Sequence, residues 1–150
     1  TPVRICFAPL VVDKASPLLE GLGLEHMLPR CGDVLAAADA CRFTMAVCVD
    51  VTPEGATSRV GFELYPADTT VSVRCGVKQP SHSVLCERLI ELGYLDAARA
   101  RAFLDVEGWD ELSHDGGCNR RINHIKCLVN ADGSIETKGY IALWRTKRPS

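Results

Sequence analysis

The run 122–146 constrains the fold most: two alternating segments flank the turn Asn130-Ala131-Asp132-Gly133. That turn suits a type I conformation followed by a glycine in the left-handed region, closing a hairpin on a bulge. It pairs Asn130 with Ser134. Counting back, Lys126 faces Lys138 and His124 faces Tyr140. One face of the hairpin then carries His124, Lys126, Lys138, Tyr140 and Trp144, the other Ile125, Cys127, Val129, Ile135, Ile141 and Leu143. The rival register, with Asp132-Gly133 as a two-residue turn, sets Lys126 opposite Gly139 and mixes the faces. A one-residue slip turns every side chain over, so the register that separates polar from apolar is expected. It has a cost, because two directly opposed lysines repel by roughly 0.2–1 kcal/mol. Something negative is expected near them: solvent and a carboxylate such as Glu63 or Glu136, or a bound anion with Tyr140 and His124 as further donors.

A second hairpin lies upstream. From Arg42 to Val51, Phe43, Met45, Val47, Val49 and Val51 alternate with Arg42, Thr44, Ala46, Cys48 and Asp50; after a Thr-Pro-Glu-Gly loop, Val60, Phe62 and Leu64 oppose Arg59, Gly61, Glu63 and Tyr65. Two alternating runs about a Pro/Gly loop read as antiparallel strands. Arg4–Val12 is a candidate first strand and Thr70–Val77 a further one. Ser16 before Pro17 signals a helix start, Asp33 a cap for a short helix over 34–40, Ser83 a cap for a helix ending at Gly93, and Asp96 a cap for one reaching Leu104. Asp105–Asn119, rich in acidic residues and containing Gly116-Gly117, reads as a loop and a candidate lid. The order is α+β: antiparallel hairpins in αββα-type units, with the helices on one face of the sheet.

At 150 residues the chain is expected to be one domain, and its 47% apolar content suffices for a core without staples. A net charge of −2 excludes broad phosphate neutralisation of nucleic acid. No apolar run reaches membrane-spanning length. The opening residues lack a charged segment leading into an apolar one, so no secretory signal is expected and a cytoplasmic setting is. None of the eight cysteines forms a C-x-x-C pair, so most read as small buried hydrophobes in a reducing compartment rather than a disulfide framework. The four histidines, including His26 and His82, lack metal spacing, and no metal site is expected. His114 and Cys118, four apart, are a weak candidate for a nucleophile pair.

Helix–strand–strand–helix units with Lys-x-Tyr strands resemble the aromatic prenyltransferases of the ABBA, or PT-barrel, family. Lys138-Gly139-Tyr140 is similar to one such strand and His124-Ile125-Lys126 to a neighbouring one. The resemblance implies a polar sheet face lining a lumen, with Lys126, Lys138, Tyr140 and His124 holding the diphosphate of an isoprenoid donor. It assigns weaker binding roles to Arg42, Arg59 and Tyr65, and an acid or base role to Glu63. It implies a prenyl-transferring enzyme with the prenyl diphosphate as co-substrate and no other cofactor; without an Asp-rich motif, Mg²⁺ is not expected to be essential. Family barrels are about twice this long, so a partial barrel, or one completed by a second copy or another protein, is the matching expectation. The alternative is a non-catalytic accessory or self-association module whose sheet a partner chain completes.

Overall fold

Six strands form one antiparallel sheet in the computed structural model, which describes residues 1–66, 82–106, 108–113 and 116–147. In chain order the elements are β1 (Val3–Leu10), α1 (Ala15–Gly21), α2 (Leu28–Ala40), β2 (Phe43–Thr52) and β3 (Gly55–Pro66). After them come α3 (His82–Glu91), α4 (Ala97–Leu104), β4 (Gly108–Ser113), β5 (Gly116–Val129) and β6 (Ile135–Lys147). The strands run β1-β2-β3-β5. The long β5 pairs β6 along one edge over 116–129, and on its other edge meets β3 at 125–129 and β4 at 116–120. The fold is α+β. Among the described residues no helix is long and apolar enough to cross a membrane.

The alternating pattern decides which face meets the helices. Phe43, Met45, Val47 and Val49 of β2, Val60, Phe62 and Leu64 of β3, and Ile125, Cys127 and Val129 of β5 are buried in one core with Leu19, Val34, Leu35, Leu85 and Leu89 of the helices. Each such aliphatic or aromatic side chain contributes about 1.5–3 kcal/mol by leaving water. Thr137 of β6 joins this side and donates its hydroxyl to the Tyr94 carbonyl at 2.9 Å. Next to it Gly139 leaves room for the Phe103 ring of α4, which a β-carbon there would approach at 3.0 Å.

The C-terminal hairpin takes the segregated register. The Asn130 amide donates to Ser134 O and the Gly133 amide to Asn130 O, both at 2.9 Å. Gly133 sits at φ 87°, and Lys126 pairs with Lys138 and His124 with Tyr140. The apolar face ends early, however. A bulge falls between Ile122 and His124, and Ile141 and Leu143, expected in the core, are 51% and 65% exposed. Alternation sets which side a residue faces; whether a helix reaches that far is a separate matter.

Several local expectations are corrected. The run 105–119, read as a loop and lid, contains β4 and the start of β5. Ser16 and Asp33 lie inside helices rather than capping them. α1 is entered from a 3-10 turn at Val12–Lys14, and α2 starts five residues before Asp33, with Pro29 in its first turn. Asp33 instead accepts from the Tyr94 hydroxyl at 2.6 Å. Ser83 is the second residue of α3. Asp96 does cap α4, accepting from the Arg99 amide at 2.8 Å. The Thr70–Val77 strand lies outside the described residues.

Candidate functional site

On the face turned away from the helices, the strand pairing lays side chains out in rows. One row runs Cys6, Cys48, Gly61, Leu128, Glu136 and the next Ala46, Glu63, Lys126, Lys138. Tyr65, His124 and Tyr140 lie beyond. Gly61 makes the centre possible: a β-carbon there would sit 3.0 Å from Lys126 Cε, so its hydrogen leaves the lysine stem a path along the sheet. This outer face still buries polar groups. Lys126 is 6% exposed and His124 8%, while Cys48 and Ala46 are each 2% exposed.

Glu63 is the hub. Its Oε1 accepts from Lys126 Nζ at 2.9 Å and its Oε2 from the Tyr65 hydroxyl at 2.9 Å. The Cys48 thiol lies 3.6 Å from Oε1, and His124 Nε2 4.0 Å from Oε2. The His124 ring stacks on Tyr140 at 4.4 Å between centroids, 16° from parallel, and meets Tyr65 at 4.9 Å. Asn123 Nδ2 reaches His124 Nδ1 at 3.0 Å. With the amide donating there, the neutral imidazole carries its proton on Nε2. That nitrogen is buried and has no hydrogen-bond partner among the described residues. Next to Tyr65, a cavity of about 280 Å³ is lined by Ala8, Pro9, Thr44, Met45 and Tyr65.

The electrostatics follow from burial set against pairing. Burial alone would push the Glu63 carboxyl up, but the hydrogen bonds from Lys126 and Tyr65 outweigh it and hold it below the usual carboxylate range. Burial likewise opposes the Lys126 charge, and the bond to Glu63 reverses the balance, raising it. Burial, then the bond to Glu63, pushes the Tyr65 phenol up. Burial lowers His124 despite the nearby Glu63. The cluster is therefore an ion pair flanked by a neutral phenol and a neutral imidazole.

Of the residues singled out in the sequence, Glu63, Tyr65, His124, Lys126 and Tyr140 come together. Lys138 shares their row but is exposed, with Nζ 3.6 Å from Glu136. Arg59 reaches the same Glu136 at 3.6 Å. Arg42 stands outside, at φ 56° one residue before β2. The two opposed lysines thus turn to different carboxylates, Lys126 to Glu63 and Lys138 to the Glu136 it shares with Arg59. Glu63, expected as an acid or base, is held ionised here as the counter-ion of Lys126. Cys118 lies on β5 opposite Asp110 and Arg145, and His114 is outside the described residues.

The sequence reading missed Cys6 and Cys48. They lie 42 residues apart, yet β1 pairs with β2 so that they stand opposite, Sγ to Sγ 2.7 Å. With Glu63 they bring three potential ligand atoms within 4.8 Å of one another, where no metal site was expected. The signal was present: both cysteines fall on the polar side of alternating runs, but nothing in either run alone fixes how β1 and β2 register. No family model matches the chain, nor does any curated protein or solved structure.

Proposed function

We propose that the outer sheet face binds a small molecule that has an acceptor-bearing, anionic end and an apolar body. The observation that carries this reading is the buried His124 Nε2, a donor without an acceptor among the described residues, beside the Lys126–Glu63 pair. A buried unpaired donor costs about 1–3 kcal/mol, a cost that a ligand oxygen removes. The apolar body has the cavity beside Tyr65 and the exposed side of the Tyr140 ring.

An isoprenoid diphosphate belongs to this ligand class, and the Lys-x-Tyr strand supports choosing it first. Its phosphates would draw on Lys138 and Arg59, both exposed and sharing one displaceable carboxylate, Glu136. Lys126 contributes less, because Glu63 already neutralises it. Prenyl transfer is a step beyond binding, and in it Glu63 positions Lys126 and Tyr65. Calorimetric titration with geranyl diphosphate, dimethylallyl diphosphate and inorganic diphosphate tests the reading. Geranyl diphosphate should bind most tightly, weaken with salt, and lose affinity in His124→Gln and Tyr140→Ala. Equal binding of all three would remove the apolar body from the reading, and no binding of any would remove the site.

A second reading, self-association, rests on the sheet's flanks. Val3 and Ile5 on β1 and Ile141 and Leu143 on β6 are large, apolar and exposed, and neither strand has a second partner among the described residues. Exposed edges of this kind template further pairing. Sedimentation velocity across a concentration series should show a reversible dimer that Leu143→Glu dissociates; a monomer throughout would end this reading.

A further inference from the structure

We infer that Cys6 and Cys48 form a reversible dithiol–disulfide couple that exchanges with low-molecular-weight disulfides. The pair faces across β1 and β2 with its sulfurs 2.7 Å apart. Cys6 is exposed and Cys48 buried, which sets an order of events. The exposed sulfur is the one a small disulfide can reach; the buried one can resolve the adduct. Behind Cys48 lie the Glu63 carboxylate, 3.6 Å away, and the Lys126 ammonium bonded to it. Burial pushes the Cys48 thiol up to about 12, with Lys126 pulling the other way, so Cys48 is the resolving sulfur rather than the first to attack.

The chemistry balances. The Cys6 thiolate attacks one sulfur of the small disulfide; that S–S bond breaks and the first small thiolate leaves, taking up the proton Cys6 gave up. Cys48 attacks Cys6 Sγ, forming the protein disulfide and expelling the second small thiolate. That thiolate takes up the proton Cys48 gives up. Two protein thiols are oxidised and one small disulfide is reduced to two thiols.

A metal is the competing use of the same atoms, and the geometry disfavours it. Two thiolates on one zinc ion stand about 3.8 Å apart, given Zn–S bonds of about 2.3 Å in a tetrahedron. The sulfurs here are closer, and the Lys126 ammonium already sits on the oxygen of Glu63 that faces them.

The test is incubation of the reduced full chain with glutathione disulfide under native conditions, alkylation, intact mass and peptide mapping. The expected product has lost two free thiols, links Cys6 to Cys48 and retains no glutathione. Cys48→Ser, or Cys48→Ala if serine is not accommodated, should stop at one glutathione on Cys6. Cys6→Ser should leave Cys48 unmodified. A glutathione adduct persisting on Cys6 in the unsubstituted chain, or oxidation of other cysteines instead, would overturn the couple. So would one equivalent of zinc retained through gel filtration and lost in Cys6→Ser. Failure of diphosphate binding leaves this inference standing, since the two sites are read out separately.

Discussion

Phe62 and Glu63 are consecutive residues of β3 that point to opposite faces of one sheet. Phe62 is wholly buried among apolar groups beneath the helices, while Glu63 is largely buried among Lys126, Tyr65 and His124. Burial on the helix side asks only for apolar volume. On the outer side polar groups are stable because others satisfy them, and His124 Nε2, with no hydrogen-bond partner among the described residues, is the exception on which the proposed site rests. The most direct break of the comparison is Phe62→Ala. It should cost about 4 kcal/mol, a lost transfer term plus a cavity, read from urea denaturation with an unchanged slope.

Glu63→Ala should come next, at about 3 kcal/mol, because it leaves the Lys126 ammonium buried without a counter-ion. The sharper form of the test removes both charges. Glu63→Leu with Lys126→Met should recover most of that loss, since apolar replacements of a buried ion pair are often neutral or better. If the double variant stays as unstable as the single one, the pair supports the fold, and the outer face is less a binding surface than a second core.

Two glycines extend the comparison to smaller effects. At Gly139 an added methyl meets the flat of the Phe103 ring, and at Gly61 it meets Cε of Lys126, each at 3.0 Å. A half-buried ring packed against the core cannot move aside cheaply, so Gly139→Ala should cost about 2 kcal/mol as overpacking. A lysine stem can swing, so Gly61→Ala should cost less in thermal denaturation but disturb the Lys126–Glu63 bond.

Acidification separates the faces without a substitution. His124 lies against Glu63, Lys126, Tyr65 and Tyr140, and burial lowers its pKa below 6.5. The unfolded chain therefore binds a proton there more readily than the folded one. Stability should be fully present above about pH 6.5 and decline as pH falls through the lower folded value. The Glu63 carboxyl, also lowered, adds its own loss in the window below 4.5. Denaturation midpoints at a series of pH values should show the first decline, and His124→Gln should flatten it.

How much of this could be read beforehand differs between the two kinds of burial. The core face was legible because alternation is local: Phe62, Val47 and Ile125 declare their side within a few residues. The turn at Asn130–Gly133 likewise fixed which residues face each other across β5 and β6. The helix starts were less legible, since Ser16 and Asp33 carry capping side chains but serve inside helices. β4 was missed because its acidic, glycine-flanked run lacks alternation. Lys126 and Lys138 show the deeper limit. Their pairing was readable from one hairpin, but the partner of Lys126 is on β3, and only the order of strands in the sheet brings Glu63 to it. The Cys6–Cys48 contact depends on the β1–β2 register in the same way.

The smallest expected effect separates those two lysines. They are cross-strand neighbours, yet Lys126 is buried on Glu63 and the Lys138 side chain is 54% exposed, 3.6 Å from an exposed Glu136. An exposed pair of that length is worth little, because water screens it and two mobile side chains resist being held. Lys138→Ala should therefore change unfolding free energy by less than about 0.5 kcal/mol. The same substitution should lower affinity for geranyl diphosphate, since it removes a cation the phosphates can recruit without breaking the core of the cluster. A variant as stable as the parent that binds as well as the parent would move the anion onto Lys126, and then Glu63 must give up its partner when ligand arrives. Repeating the titration in Glu63→Gln distinguishes the two cases: affinity should rise if Lys126 is the recruited cation and stay level if it is not.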